Sequence, residues 1–207
     1  TIYKLTIFII ILIILFLILH KLKTHNKKFI YWSQGFEIAP NKNIFIYWSQ
    51  GFETAPFVVK KCLQSWKIKN PTWKIIELCD ANVHQYVDIQ KEIPDIHKKE
   101  ISKTNYSDIL RIFLLEKYGG CWCDATTFCI VPLDNWIYNY INQGFFAFER
   151  TDTNNSLLSN WFLFSTKDHY ITRCWKKEMI KYWQSNNKVH DYFFMHGLFK
   201  MLYNKDN

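Results

Sequence analysis

Several signatures that assign a chain quickly are missing from this one. Its six cysteines stand at 62, 79, 121, 123, 129 and 174, and none forms the C-x₂-C pair of a structural zinc site. Most lie within apolar patterns, which reads as buried free thiols. No acid occurs in residues 1–28, a stretch that holds Lys4, Lys21, Lys23, Lys27 and Lys28. Setting those five aside leaves 21 basic against 18 acidic residues, so the formal charge of +8 falls to +3 over the rest. A globular part so nearly balanced lacks the electrostatic footprint of a nucleic-acid binder, and no nucleic-acid partner is expected. The 207 residues leave room for one anchor and one domain with a substantial core.

What the chain does have is a long apolar run at its start. Leu5–Leu19, LTIFIIILIILFLIL, carries no charge, and Ile2, Tyr3 and a snorkelling Lys4 extend it. Residues 2–22 just reach the ~20 apolar positions of a spanning helix. A secretory signal would have a shorter apolar core followed by small residues at a cleavage step, whereas this run ends in His20-Lys21-Leu22-Lys23. The expectation is a single-pass membrane anchor over residues 1–23. A lysine- and asparagine-rich tether follows over 24–43, then a domain over 44–207. The lysines after the span lean toward a cytoplasmic domain. The sequon Asn105-Tyr106-Ser107 points the same way, because a glycan there would obstruct the candidate residues nearby.

Along the domain, IFIYW (44–48) reads as a buried strand closed by Ser49-Gln50-Gly51. Pro56 suits a first helical turn, and Val58, Cys62 and Trp66 recur at helical spacing until Asn70-Pro71. WKIIEL (73–78) is a second strand, and a short helix follows around 83–86. Residues 88–104 are charged and irregular. Asn105–Tyr118 is a helix ended by Gly119-Gly120, CWCDATTFCIV is strand-like up to Pro132, 145–149 and 160–165 are further strands, and helices cover roughly 169–184 and 190–203. Strand, helix, strand, helix in this order predicts an α/β domain with a mostly parallel sheet.

Within this frame a few residues stand out chemically. Asp108 and Arg111 share one face of an otherwise apolar helix. Their spacing alone also fits a first-turn acid favoured by the helix dipole by about 0.3–1 kcal/mol. In Gly119-Gly120-Cys121-Trp122-Cys123-Asp124, strand alternation sends Trp122 and Asp124 to one side and the two cysteines to the other. An acid ending such a strand lies at the carboxyl edge of the sheet, where α/β proteins bind ligands, and it offers oxygen to a hard cation. A simple turn cap on Thr126 or Thr127 is the plainer alternative. Glu149, Arg150 and Asp152 fit a solvated loop, with contact to a second substrate as the alternative, and Asp191 with His196 fits a structural pair rather than a metal ligand.

Taken together, SDILRIFLLEKYGGCWCDAT and the preceding IFIYWSQGFETAP…SWKIKNPTWKIIEL resemble the capsular polysaccharide synthesis protein family. These are glycosyltransferases related to the DXD-containing sugar transferases, among them yeast initiating mannosyltransferases and the clostridial glucosylating toxins. The resemblance runs from about Ile44 through the DYFF segment at 191–194. It implies the GT-A fold, a Rossmann-like nucleotide-sugar-binding domain. It also implies a donor site in which Trp48, with Tyr47 beside it, packs near the nucleotide base. In that site Asp108 and Arg111 contact ribose and donor, and Trp122 lies near the donor sugar. Asp124 would hold Mn²⁺ or Mg²⁺ with the diphosphate. Thr126 stands at the last DXD position, so the metal shell has one carboxylate fewer; either a hydroxyl or water would complete it, or the metal would bind weakly and mostly through the diphosphate. The implied function is a membrane-anchored glycosyltransferase, retaining as in related families, that moves sugar from a nucleotide-sugar donor to a glycan or polysaccharide acceptor. Two alternatives stay open: an inactive nucleotide- or carbohydrate-binding relative, and a phosphosugar transferase. Family members are expected to continue beyond Asn207.

The chain also repeats itself, FIYWSQGFEIAP at 29–40 and FIYWSQGFETAP at 45–56. One GT-A sheet has one first strand, and only the second copy is followed by the helix and strand that complete the unit. The expectation is that Trp48 works and Trp32 is an idle double, its copy lying in the tether or at most adding an edge strand, produced by a recent duplication or an error in gene assembly.

Overall fold

A computed structural model describes residues 41–150, 157–189 and 191–205. Ile44–Tyr47 are all buried, as a strand covered on both faces requires, and they form most of β1 (Asn43–Tyr47). The chain continues through α1 (Phe57–Lys69), β2 (Lys74–Leu78), a short α2 (Ile89–Glu92), α3 (Lys103–Tyr118) and β3 (Gly120–Cys123). Then come β4 (Phe145–Glu149), β5 (Leu158–Ser165), α4 (Tyr170–Ser185) and α5 (Phe194–Lys205). The sheet order is β2-β1-β3-β5-β4.

The expected mostly parallel sheet is instead mixed. β1 runs parallel to β2, with Phe45 opposite Ile76, and parallel to β3, with Phe45 opposite Trp122. β5 is antiparallel to both β3 and β4. The physical reason is connection length. Only eight residues, 150–157, join β4 to β5, and a parallel crossover needs a dozen or more, usually with a helix.

Strand alternation sorts the core into two layers. Phe45, Tyr47 and Trp122 point to the side covered by α3, α4 and α5. Ile44, Ile46, Cys121 and Cys123 point to the side covered by α1 and the segment from Ala125 to Ile141. Each fully buried large side chain contributes roughly 1.5–3 kcal/mol relative to exposure. Within α1 the buried residues are Val59, Cys62, Leu63, Ser65 and Trp66, and Val58, expected inside, is exposed. One residue is 100° of helix, enough to move a side chain from core to solvent.

Three further boundaries differ from expectation. α3 starts two residues earlier, capped by Ser102, whose hydroxyl accepts from the Asn105 N–H at 3.1 Å. Asp108 therefore lies beyond the first turn and is no dipole-stabilised end residue. β3 stops at Cys123, and Asp124–Pro132 is irregular rather than strand. The folded part begins before the expected end of the tether, since Asn41 Nδ2 donates to the Tyr118 carbonyl at 2.6 Å and Asn43 is already in β1. The anchor at 1–23 and the copy at 29–40 lie outside the described residues. Among the described residues no helix is long and apolar enough to cross a membrane.

Gly119 and Gly120 close α3 and open β3 with φ of 66° and 105°, a region that suits glycine. A Cβ on Gly120 would stand 2.5 Å from the Asn43 carbonyl oxygen, and one on Gly119 would stand 2.6 Å from the Lys167 nitrogen. Gly120→Ala should therefore destabilise the domain by about 2–4 kcal/mol, from backbone strain and overpacking combined. A urea unfolding midpoint unchanged from wild type would contradict this account.

Candidate functional site

A cleft of about 400 Å³ opens where the carboxyl ends of β1 and β3 meet the start of α3. β1 and the turn after it supply Tyr47, Trp48, Ser49 and Gln50, and α3 supplies Lys103, Thr104, Ser107 and Arg111. Trp122, Asp124, Ala125 and Thr126 form the wall from β3, and Tyr192 closes the side before α5. This is the crevice position expected of an open α/β sheet. The turn after β1 is held locally: the Gly51 N–H donates to the Trp48 carbonyl at 2.9 Å, and Gly51 takes φ 85° to make it.

Arg111 is the hub. Its side chain is 3% exposed, and its Nη2 lies 3.2 Å from Asp108 Oδ1 and 3.3 Å from Asp124 Oδ1. Nη1 donates to the Asn160 carbonyl of β5 at 2.7 Å, while Nε donates to the Ser107 carbonyl at 3.2 Å. The guanidinium also sits over Trp122, 5.1 Å from the ring centre. Trp122 Nε1 in turn donates to Asp124 Oδ1 at 2.8 Å, which confirms that the two side chains share a side of β3. Asp124 keeps 35% of its side chain exposed to the cleft.

The structure brings together five of the six expected donor-site residues: Tyr47, Trp48, Arg111, Trp122 and Asp124 line the cleft. Asp108 does not. It lies behind Arg111, 3% exposed, and accepts a 3.2 Å hydrogen bond from Asn160 Nδ2. Its position is that of a counter-ion to Arg111, one layer below the cleft wall. Burial pushes its pKa up to about 6, Arg111 opposes that shift, and the Asp124 charge adds to it.

Among the described residues no three His, Cys, Asp or Glu side chains cluster as a metal cage, and Asp124 is the only acid lining the cleft. One Asp124 oxygen is shared with Arg111 and Trp122. The donor set fits a hard cation only if a ligand's own oxygens and water complete the shell, with Thr126 also at the wall.

A second network was not anticipated. The Tyr47 hydroxyl donates to Asp80 Oδ1 at the end of β2, and Lys103 Nζ donates to Asp80 Oδ2 at 2.5 Å. Burial, then the Asp80 carboxylate, pushes the Tyr47 hydroxyl pKa far up, so it stays a donor. Ser49, Gln50, Lys103, Thr104, Ser107 and Tyr192 were likewise unmarked by sequence. Lys103 and Thr104 carry a usable signal, being the first turn of a helix whose later turn holds Arg111.

The expected Asp191–His196 pair is not formed. Asp191 Oδ1 accepts from the Phe193 N–H at 2.9 Å ahead of α5, and the buried His196 Nδ1 has no hydrogen-bond partner. Burial, with Arg150 and Arg111 adding, pushes the His196 pKa down to about 4. Cys121 and Cys123 are buried free thiols whose pKa is raised by burial, as expected of inert core cysteines.

A sequence model of the capsular polysaccharide synthesis protein family matches residues 40–207. The fold is similar to that of a solved structure described as PaToxG Glycosyltransferase. The TM-score is 0.55 at 17% identity, over 80% of this chain and 69% of that one. No curated protein matches.

The raised Asp108 pKa has a directional consequence. The folded state holds that proton more tightly than the unfolded chain, whose Asp titrates near 3.8. Its contribution is therefore full below about pH 4 and lost as pH rises through about 6. Relative to Asp108→Asn, wild type should gain about 2–3 kcal/mol as pH falls from 7.5 to 4. Urea titrations of both proteins across that range measure it, and a difference independent of pH would refute it.

Proposed function

The chain belongs to the capsular polysaccharide synthesis protein family, and from that premise we propose that the cleft binds a nucleotide-sugar donor and that the domain is a glycosyltransferase. The observation that carries this reading is the Arg111–Asp124–Trp122 constellation, a buried cation and a half-exposed carboxylate facing the same cleft. Tyr47 and Trp48 offer flat surfaces for the base, and Lys103 and Arg111 offer positive charge along the path of the diphosphate. Trp122, almost wholly buried, backs the wall on which the sugar would rest.

Transfer breaks the bond between the anomeric carbon and a diphosphate oxygen and makes one to an acceptor hydroxyl, whose proton departs. Negative charge grows on the leaving diphosphate, and Arg111 is already fixed in place to stabilise it without reorganising. Asp124, with the Thr126 wall, would hold Mn²⁺ or Mg²⁺, which supplies charge neutralisation to the same diphosphate. Asp108 acts indirectly, holding the guanidinium against Ser107 and Asn160. The acceptor is a glycan or polysaccharide, the outcome at the anomeric carbon is retention, and residues 1–23 anchor the domain to a membrane with the domain on the cytoplasmic side.

The lone carboxylate in the cleft favours a second reading, a relative that binds nucleotide or carbohydrate without turnover. Both readings meet in one experiment. Full-length protein is screened against nucleotide sugars by calorimetry and product analysis, with and without Mn²⁺, beside Asp124→Ala. Transfer by wild type, with kcat/KM reduced at least 100-fold in the variant, supports the transferase. Binding without product supports the second reading, and a product carrying phosphate with the sugar identifies a phosphosugar transferase. Equal binding of every donor by both proteins, or none, removes the assignment.

A further inference from the structure

The outer face of α1 is not that of an ordinary solvated helix. Phe57, Lys61, Gln64 and Ile68 recur at spacings of four, three and four, so they form one stripe opposite the buried Val59, Cys62, Leu63 and Trp66. Phe57 is 76% exposed and Ile68 65%, and Lys61 Nζ lies over the Phe57 ring at 5.4 Å. Beside this helix runs the irregular segment after Asp124. Its backbone is fastened, because Trp66 Nε1 donates to the Thr127 carbonyl at 2.9 Å and the Cys129 N–H donates to Ser65 Oγ at 2.8 Å. The Leu133 N–H donates to Asn70 Oδ1 at 2.7 Å. Cys129 is turned inward, and its neighbours Phe128, Ile130 and Val131 are turned out, with Ile130 75% exposed. The apolar side chains are thus presented by a held backbone.

Charge narrows what this face fits. Residues 57–69 contain Lys60, Lys61, Lys67 and Lys69 and no acid, and residues 125–133 contain no acid either. Lys67 is paired with Glu77 of β2 at 2.5 Å, but Lys60 bonds the Glu53 carbonyl and Lys61 the Gln64 amide oxygen, neither of which neutralises it. Large apolar side chains rimmed by lysines match the boundary between acyl chains and anionic headgroups.

Where the chain enters the fold adds a second argument. The apolar run at 2–22 is joined to the described domain by residues 23–40, and the entry point is fixed by Lys42, which pairs with Asp134 at 3.2 Å. Asp134 follows Val131 by three residues, so Lys42, near the start of the described chain, lies beside this apolar face. We propose that α1 and the Thr127–Val131 segment form a docking surface for an anionic lipid bilayer, which turns the domain so that the cleft rim at Thr126 borders the membrane. The inference rests on the anchor proposed above, which keeps the surface at high effective concentration near lipid. It implies that the acceptor is presented from the membrane.

The test uses the full chain in nanodiscs of phosphatidylcholine with or without phosphatidylglycerol, one chain per disc. A nitroxide is attached at Ile130→Cys or, as a control on the opposite layer, at Lys177→Cys. The unsubstituted chain gives the background from Cys79 and Cys174. In phosphatidylglycerol discs the label at 130 should gain collisions with oxygen and lose them with a nickel chelate, while the label at 177 stays unchanged. Lys60→Glu with Lys61→Glu should reduce the docking equilibrium constant at least roughly five-fold per lysine replaced. Equal nickel access at both positions in all discs overturns the proposal. Shielding that appears only with two chains per disc, or equally in detergent, also overturns it and identifies a second copy as the occupant. Alkaline carbonate extraction reads the anchor separately, and donor binding on the same discs reads the transferase assignment.

Discussion

An arginine side chain that is 3% exposed sets the terms for this domain. Arginine does not give up its proton in a protein, so burying it demands compensation on every side. The compensation comes from three elements. Asp108 and Ser107 come from α3, Asp124 from the end of β3, and the Asn160 carbonyl from β5. The same residue that locks these elements together also faces the cleft, so the positions of cleft wall and core are not independent. Removing either acid leaves a buried charge partly unpaired.

β3 is where the sheet's two halves meet. It pairs in parallel with β1 and in antiparallel with β5, and every one of its residues is buried. So tight a strand admits no bulk at its start, and the close approach of Gly120 to the Asn43 carbonyl follows directly. At its other end alternation does the chemical sorting: Trp122 shares its side with Asp124, and Cys121 and Cys123 pack against α1's layer. The charged residue appears one step after the last buried one, at the sheet's edge.

Much of this was readable in the residues. The apolar α3, the double glycine, the alternation in β3 and the strand at 44–48 each depend on local rules, and each was found within two residues of where those rules put it. The place of β5 between β3 and β4, antiparallel to both, was not readable, because it is decided by partners far along the chain. Asp108 shows the same limit at the site. Its type and spacing marked it, but whether it touches ligand or backs Arg111 depends on Asn160, 52 residues away. Asp80 carried no local mark at all. It matters because β2 lies beside β1, which brings its carboxylate to Tyr47 and Lys103.

The duplicated FIYWSQGFE is the sharpest case of sequence without context. At 45–56 those letters make β1 because both sides of the strand are taken: Asn43–Tyr47 pair with Lys74–Leu78, and Ile44 and Phe45 pair with Cys121 and Trp122. Trp48 reaches the cleft because its N–H donates to Leu78 and its carbonyl accepts from Gly51, after which α1 carries the chain away. The copy at 29–40 runs instead into Asn41, whose side chain is tied to Tyr118. With both flanks of β1 occupied, the sheet interior has no position for a second such strand. The cleft therefore belongs to β1's neighbours as much as to β1.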